Sequence, residues 1–189
     1  MRFVYSPMHL RHDIRTQTVM GVQVDANEVA ERAEVIRTTL LADGGFEIVL
    51  PTAHGAEPIT AVHDPGLLRF LETAWDDAVR AGNQYDFLAP ETIPNRAATE
   101  GMGARYGHET SRPDGRAGYW ALDTSTYIVE GTYAAARAAV DVALTTADLV
   151  LGGERAAYGL CRPPGHHAAR SMYGGFCYFN NAAIAALLK

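Results

Sequence analysis

The sequence reads LCRPPGHH at residues 160–167 and GGFCYFNN at residues 174–181. The two prolines fix their own φ angles and hold the residues before them extended, so the backbone is stiff where it approaches the histidines. Imidazole titrates near neutral pH, and the adjacent rings of His166 and His167 can therefore divide a proton transfer between a neutral base and a charged partner. The pattern favours a catalytic loop, with an ordinary exposed polar loop as the alternative.

The rest of the chain predicts where this loop lies. Strand-forming and helix-forming segments alternate. The predicted strands are 2–6, 47–51 and a buried one at 156–161. The predicted helices are 28–42, 65–81, 124–147 with an interruption or bend near Gly131, and a last one from Asn180 or Asn181 through Leu188. Such alternation favours a parallel sheet covered by helices, in which ligands bind at the carboxyl ends of strands. The histidine pair follows the third strand and is therefore predicted at that edge.

The helix after Asp64 has the clearest signals. Asp64 is a good N-cap, Pro65 suits the first turn, and Gly82 ends the pattern. Apolar side chains recur at helical spacing on one face, which we expect to be buried: Leu68, Leu71, Trp75 and Val79.

Composition excludes several classes of protein. With 189 residues, of which 48% are hydrophobic, the chain can bury a core as one globular unit. The net charge of −6 argues against nonspecific nucleic-acid binding, which needs a basic surface. The sequence opens without the apolar run of a signal peptide and contains no apolar stretch long enough to span a membrane. We therefore expect a cytoplasmic protein without membrane contact.

Residues 83–118 lack helical or strand periodicity. Three prolines and five glycines fall between Pro90 and Gly118. A long irregular excursion inside a compact domain is usually functional, as a lid or an assembly arm, or else disordered. Both interpretations stay open.

Residues 161–168 and 174–181 together resemble the histone deacetylase superfamily, and more closely its bacterial acetylpolyamine amidohydrolase branch. Residues 59–64, 70–76 and 118–120 extend the likeness over essentially the whole chain. The resemblance implies a three-layer α/β fold of the arginase-deacetylase type, with a parallel sheet covered by helices. It also implies hydrolysis of an acetamide by a zinc-bound water.

In that family the metal-ligating aspartates and histidine, and a tyrosine that polarises the carbonyl, follow the segment that this chain matches. The resemblance therefore implies that residues 1–189 are the N-terminal part of a single deacetylase domain, an incomplete fold whose zinc ligands lie beyond Lys189. Within the chain we can name no set of three protein ligands, which a catalytic zinc requires.

Carried over by position, the resemblance assigns His167 as the general base that takes a proton from the metal-bound water, and His166 as the partner that stabilises developing charge. Gly175 matches the position whose carbonyl accepts a hydrogen bond from the substrate amide, and Phe176 matches a wall of the channel. Without the resemblance, a tight turn and a core aromatic would be the preferred interpretations of these two residues.

Asp123 and Asp114 match a rim region where family members hold a cationic or peptide substrate. Ser125 stands where polyamine-processing relatives tend to place another acid, which weakens the polyamine assignment. An acid that stabilises a helix start is an equally common explanation for Asp123.

Other signals are discounted. The glycine-rich run 101–107 has its third glycine one residue late for a dinucleotide loop. Cys161 and Cys177 are expected to be buried thiols. The remaining histidines lack metal-ligand spacing and are expected to be structural: His9, His12, His54, His63 and His108.

The sequence thus predicts that the parent protein is a zinc-dependent deacetylase acting on acetylated polyamines or acetyl-lysine. We expect this segment alone to be inactive and the complete protein to be a homo-oligomer. The alternative is a noncatalytic interaction module or truncation product of the same fold.

Overall fold

The computed structural model describes residues 1–103 and 108–187. Residues 104–107, within the discounted glycine-rich run, and residues 188 and 189, at the end of the last predicted helix, lie outside the described residues. The strands are β1 (Arg2–Val4), β2 (Thr16–Val19), β3 (Val22–Asp25), β4 (Glu47–Val49) and β5 (Ala157–Gly159). The helices are α1 (Ala30–Asp43), α2 (Glu57–Val62), α3 (Pro65–Arg80), α4 (Pro113–Trp120), α5 (Thr132–Leu151) and α6 (Asn181–Ala186), and Pro7–Arg11 forms a 3-10 turn.

The main sheet is parallel, with the order β4-β1-β5. Phe3 pairs with Tyr158 and packs with Ala33 of α1, whereas Val4 pairs with Gly159. A Cβ at Gly159 would lie 2.8 Å from the Thr146 hydroxyl of α5, so that face of the sheet is covered by α5. Because successive side chains alternate between faces, α1 and α5 lie on opposite sides of the sheet. This confirms the predicted helix-covered parallel sheet.

The carboxyl ends of the three strands meet at one edge of the sheet, as in any parallel sheet. Among the described residues β5 pairs with β1 alone, so its other side is a border of the sheet.

The largest core cluster lies beside the sheet and contains side chains from α3, α4, α5 and α6. Its centre is an aromatic column in which Tyr173 stacks on Phe70 at 6.0 Å and on Tyr178 at 5.7 Å. All three rings are at most 1% exposed. Tyr173 and Tyr178 flank the tight turn Gly174–Cys177, whose end residues exchange backbone hydrogen bonds of 2.9 and 3.0 Å. The core therefore holds this turn from both sides.

The helix signals in the sequence are largely confirmed. Asp64 caps α3 by accepting the Gly66 N–H at 2.7 Å, and α1 ends at Gly44 with φ of 75°. The expected burial of Val79 is wrong, because this side chain is 52% exposed. The rest of the predicted face packs on the core: Leu68 and Leu71 are buried and Trp75 is half-buried. The buried face of α3 also includes Leu67, Phe70, Ala74 and Ala78.

Helix α5 begins at Thr132, immediately after Gly131, where the sequence predicts an interruption or bend, and residues 124–130 of the predicted helix lie outside it. The side chain of Asp123 accepts the backbone N–H groups of Ser125 and Thr126, and Ile128 forms a bridge with Leu88. These hydrogen bonds hold residues 123–126 in a turn and residue 128 in an extended segment. These residues are therefore not helical, although their composition favours a helix.

Four short elements were not predicted: the β2–β3 hairpin, α2, α4 and the 3-10 turn. The sequence does contain a signal for the hairpin, because Gly21 favours the positive φ of a tight turn and lies between two valine-containing strands. In the structure Met20 and Gly21 have φ of 51° and 79°. Within 83–118, most described residues lie outside helices and strands, and α4 begins near its end. Arg116 of α4 contacts Asp77 of α3 at 2.7 Å, which attaches this segment to the core.

No helix among residues 1–103 and 108–187 combines the length and apolar character needed to cross a bilayer.

Buried His12 is expected to make stability depend on pH. The side chain is 1% exposed and lies 3.0 Å from the Thr132 hydroxyl. Burial, with a smaller contribution from the charge of Arg162, lowers the pKa of His12 to about 3. Because the folded pKa lies below the unfolded value, the contribution to stability is complete above about pH 6.5 and is lost as the pH falls towards 3.

Between pH 7 and pH 5, the burial of neutral His12 should lower the free energy of unfolding by about 2 kcal/mol. Denaturant unfolding at both pH values measures it, and His12→Gln should reduce the difference by that amount. His108→Gln, at an exposed histidine, is the control and should retain the wild-type pH dependence. Equal losses in the wild type and His12→Gln would contradict the assignment.

Candidate active site at the carboxyl end of the sheet

The histidine loop begins where β5 leaves the sheet. The Leu160 N–H donates to the Val4 carbonyl at 2.9 Å, so β5 stays attached to β1 up to the start of the loop. The Arg162–Pro163 peptide is cis. His166 and His167 therefore lie beyond the carboxyl end of a strand, as the sequence predicts.

The guanidinium of Arg162 attaches the start of the loop to two distant segments. It donates to Glu28 Oε1 at 3.0 Å, to the Glu28 carbonyl at 3.2 Å and to the His9 carbonyl at 2.7 Å. Arg162 is 4% exposed. Burial raises the pKa of Glu28, although the charge of Arg162 opposes that effect. The ion pair fixes the loop relative to the segment preceding α1.

Hydrogen bonds from His63 and Asn180 hold the end of the histidine loop, at Ala168 and Ala169. The Asn180 N–H donates to His63 Nε2 at 2.9 Å, so His63 donates through Nδ1 to the Ala169 carbonyl, also at 2.9 Å. The Asn180 side chain donates to the Ala168 carbonyl at 3.0 Å and caps α6 by accepting the Ala183 N–H. Burial lowers the pKa of His63, which favours the neutral ring that these bonds require.

The two catalytic candidates are exposed and adjacent. The ring centroids of His166 and His167 lie 4.2 Å apart with an interplanar angle of 51°. Both rings line a cleft of about 290 Å³, together with Gly175 and Phe176 on the facing turn. The structure thus brings together four of the six site residues predicted from sequence. Glu28 and Arg32 line the same cleft from the side of α1.

Gly175 contacts the ring of His167 directly. A Cβ at this position would lie 2.5 Å from His167 Cδ2, closer than any side chain can approach. The residue also adopts a φ of 57°, which favours glycine. A glycine is therefore required here both by the backbone conformation and by the packing of the histidine.

Asp123 lies directly behind this turn. Its Oδ2 accepts the Gly175 N–H at 2.6 Å and the Thr126 hydroxyl at 3.0 Å, while the Thr126 oxygen accepts the Phe176 N–H at 3.0 Å. Burial alone would raise the pKa of Asp123, but the N–H groups of Gly175, Ser125 and Thr126 outweigh it and lower the pKa. The carboxylate is therefore ionised and hydrogen-bonded beneath the turn.

Asp114 lies elsewhere. It lines a separate cavity of about 420 Å³, with Tyr85, Phe87 and Glu91. Its carboxylate accepts hydrogen bonds from the Arg112 guanidinium, and these bonds lower the pKa of Asp114.

Sequence reasoning assigned no role at the site to Thr126, Arg162 or Glu28. The Asp123-x-Ser125-Thr126 spacing is a turn signal that could have indicated the first of these, because such side chains bond to nearby backbone N–H groups. The ion pair between Arg162 and Glu28 joins residues 134 apart, and local pattern gives no signal for it.

The described residues do not by themselves fit a catalytic zinc. Within residues 1–103 and 108–187, no group of three His, Cys, Asp or Glu side chains has the geometry of a metal site. Near the histidines the candidate donors are already engaged, Glu28 with Arg162 and Asp123 with N–H groups. Burial raises the pKa of Cys161 to about 12 and also raises that of Cys177, so both thiols stay protonated.

Comparisons with known proteins agree with this architecture. The family model "Histone deacetylase domain" matches residues 26–188. Acetylpolyamine amidohydrolase 2 of Pseudomonas aeruginosa and the acetylpolyamine amidohydrolase of Mycoplana ramosa are each 38% identical over 186 residues, which is 98% of this chain and 52% of each relative. The chain thus spans about half the length of the curated relatives it matches.

Solved structures give the same result. The acetylpolyamine aminohydrolase of Burkholderia pseudomallei superposes with a TM-score of 0.85 at 37% identity, covering 98% of this chain and 52% of that one. The HDA15 HD domain, at 21% identity and a TM-score of 0.66, shares the fold. The fold is therefore that of the arginase-deacetylase type in incomplete form, and the chain belongs to the histone deacetylase domain family.

Proposed function

We propose that the protein containing residues 1–189 hydrolyses the acetamide bond of an acetylated amine, either an acetylated polyamine or acetyl-lysine. One observation carries the proposal: two exposed imidazoles, with ring centroids 4.2 Å apart, line the same cleft as the Gly175–Phe176 turn, against which His167 packs, at the carboxyl edge of a parallel sheet. Acyl hydrolysis needs a base for the attacking water and donors or acceptors that orient the amide. The names of the relatives, acetylpolyamine amidohydrolases, support the same reaction.

Within this proposal His167 accepts the proton of the attacking water, and His166 stabilises the charge that develops. The Gly175 carbonyl orients the substrate amide, and Phe176 forms an apolar wall of the channel. The contact between Gly175 and the His167 ring supports this division, because it places the proposed acceptor beside the proposed base.

The proposed cofactor is zinc, whose ligands would come from polypeptide beyond Lys189. Zinc supplies a bound water of lowered pKa when it is present. Since the described residues lack a three-ligand set, we propose that residues 1–189, the N-terminal part of the domain, are inactive alone.

The proposed substrate is small and cationic. The Asp114 cavity, which is separate from the histidine cleft, also contains Glu91, Tyr85 and Phe87. Carboxylates and aromatic faces attract an ammonium group, but the Asp114 carboxylate is already paired with Arg112. Asp123, the other acid that the resemblance assigns to the rim, accepts five hydrogen bonds beneath the Gly175–Phe176 turn, so its carboxylate is not free to bind a cation. We further propose a cytoplasmic homo-oligomer in which segment 83–118 contributes to assembly, and which binds neither nucleic acid nor membranes.

The complete protein, expressed from the whole reading frame that contains residues 1–189, should deacetylate at least one of two substrates, acetylputrescine or an acetyl-lysine peptide. His167→Ala should lower kcat by roughly two to four orders of magnitude, the range for loss of a general base. His108→Ala, at an exposed histidine of the 83–118 segment, is the matched control. Absence of turnover with both substrates would overturn the function, and full activity of His167→Ala would overturn the role of that residue.

Zinc content tests the incompleteness of the site. The purified 189-residue chain should bind no stoichiometric zinc by elemental analysis and should not hydrolyse either acetamide. The complete protein should carry one zinc per chain. Tight binding of one zinc by residues 1–189, together with turnover, would show that the ligands are within this chain.

A further inference from the structure

Two consecutive residues of the turn facing the histidines adopt left-handed backbone conformations. Gly175 has a φ of 57° and Phe176 a φ of 63°. A left-handed conformation is unfavourable for a residue other than glycine, so the conformation of Phe176 persists only where surrounding bonds enforce it. The flanking Tyr173 and Tyr178 anchor the ends of the turn but not the two residues at its tip.

Two side chains accept hydrogen bonds from the N–H groups of these two residues, one from each, and the Cys177 thiol donates to the Gly175 carbonyl at 3.3 Å. Asp123 Oδ2 accepts from Gly175 at 2.6 Å, and Thr126 Oγ1 accepts from Phe176 at 3.0 Å. The Thr126 hydroxyl donates in turn to the same Asp123 oxygen at 3.0 Å. The two side chains therefore form one connected unit, which we call the Asp123–Thr126 pair.

The pair is closed to other partners. Asp123 accepts five hydrogen bonds, from Ser125 N and Oγ, Thr126 N and Oγ1, and Gly175 N. An ionised carboxylate offers about four lone-pair positions, so its accepting capacity is used. Thr126 is fully buried, at 0% exposure. Water cannot replace its hydroxyl, and the Phe176 N–H would lose its partner if that hydroxyl were removed.

The Gly174–Cys177 turn also fixes the position of the His167 ring. The ring packs against Gly175 so closely that no Cβ fits between them. A change in the φ angles of the turn would therefore move the surface on which the ring rests and would reorient the Gly175 carbonyl.

We propose that Asp123 and Thr126 are positioning residues that hold the Gly175–Phe176 turn in its left-handed form and thereby set the orientation of His167 and of the Gly175 carbonyl. This inference rests on the proposed function for its catalytic consequence. It gives Asp123 a role different from contact with a cationic substrate, because its oxygens are occupied beneath the turn.

Thr126→Val tests the pair, since valine keeps the shape of the side chain but neither accepts nor donates a hydrogen bond. In the complete protein kcat should fall roughly 10- to 100-fold, the scale of an ångström-sized misplacement, while KM changes less than about threefold. Thr126→Ser restores the hydroxyl and should keep kcat within about threefold of the wild type. Ser125→Ala, which removes a neighbouring hydroxyl bound to the same carboxylate, is the matched control.

A second measurement is independent of activity. In the 189-residue chain, labelled-histidine NMR should show displaced His167 ring resonances in Thr126→Val and wild-type resonances in Thr126→Ser and Ser125→Ala. If Thr126→Val does not fold, Asp123→Asn replaces it, since the amide still accepts one hydrogen bond, and should likewise displace the His167 signals.

The outcomes separate the two proposals. Absence of turnover in the wild-type complete protein overturns the proposed function alone, because the NMR readout still tests the positioning role. Unchanged His167 resonances in both Thr126→Val and Asp123→Asn would overturn the positioning role. A raised KM for a cationic substrate in Asp123→Asn, with unchanged kcat and unchanged resonances, would assign Asp123 to substrate contact instead.

Discussion

The buried ion pair between Arg162 and Glu28 is the interaction on which the geometry of the site depends. Arg162 follows β5 directly, Glu28 precedes α1, and the same guanidinium binds the His9 carbonyl. Three segments far apart in the chain thus meet at one buried cation. Removing one member of such a pair typically costs about 3–5 kcal/mol, because the other charge is left without compensation. The approach to the histidines is rigid for this reason as well as because of its prolines.

The fold was predictable from sequence wherever local and global preferences agree. Asp64 and Pro65 predict the start of α3, and Gly44 predicts the end of α1. The strand before the histidine loop also forms, although it is shorter than predicted and is not buried, with Tyr158 37% exposed. Prediction fails where a side chain competes with the helix for backbone groups. The bonds of Asp123 to its own neighbours keep Ser125 and Thr126 out of α5, which composition alone does not reveal, whereas Gly131 does signal the interruption before Thr132.

The site was predictable in part. The motifs place His166, His167, Gly175 and Phe176 around one cleft, whereas Asp114 lines a different cavity. The side chains that hold this arrangement come from distant positions: Glu28, His63 and Thr126. Their contacts arise only when the chain has folded, because each acts on a residue at least 50 positions away. Sequence motifs identify the side chains that could take part in catalysis, and the tertiary structure identifies the side chains that orient them.

The border formed by β5 has a consequence for how the sheet can grow. Beside it lies a second cleft, of about 460 Å³, which is lined by Tyr158, Asn181 and His166. A further parallel strand added at this border would end beside the imidazoles, since parallel strands share their direction. Adding such a strand would therefore extend the sheet and bring new side chains to the histidines at the same time. The register of the added strand would decide which side chains lie beside the imidazoles.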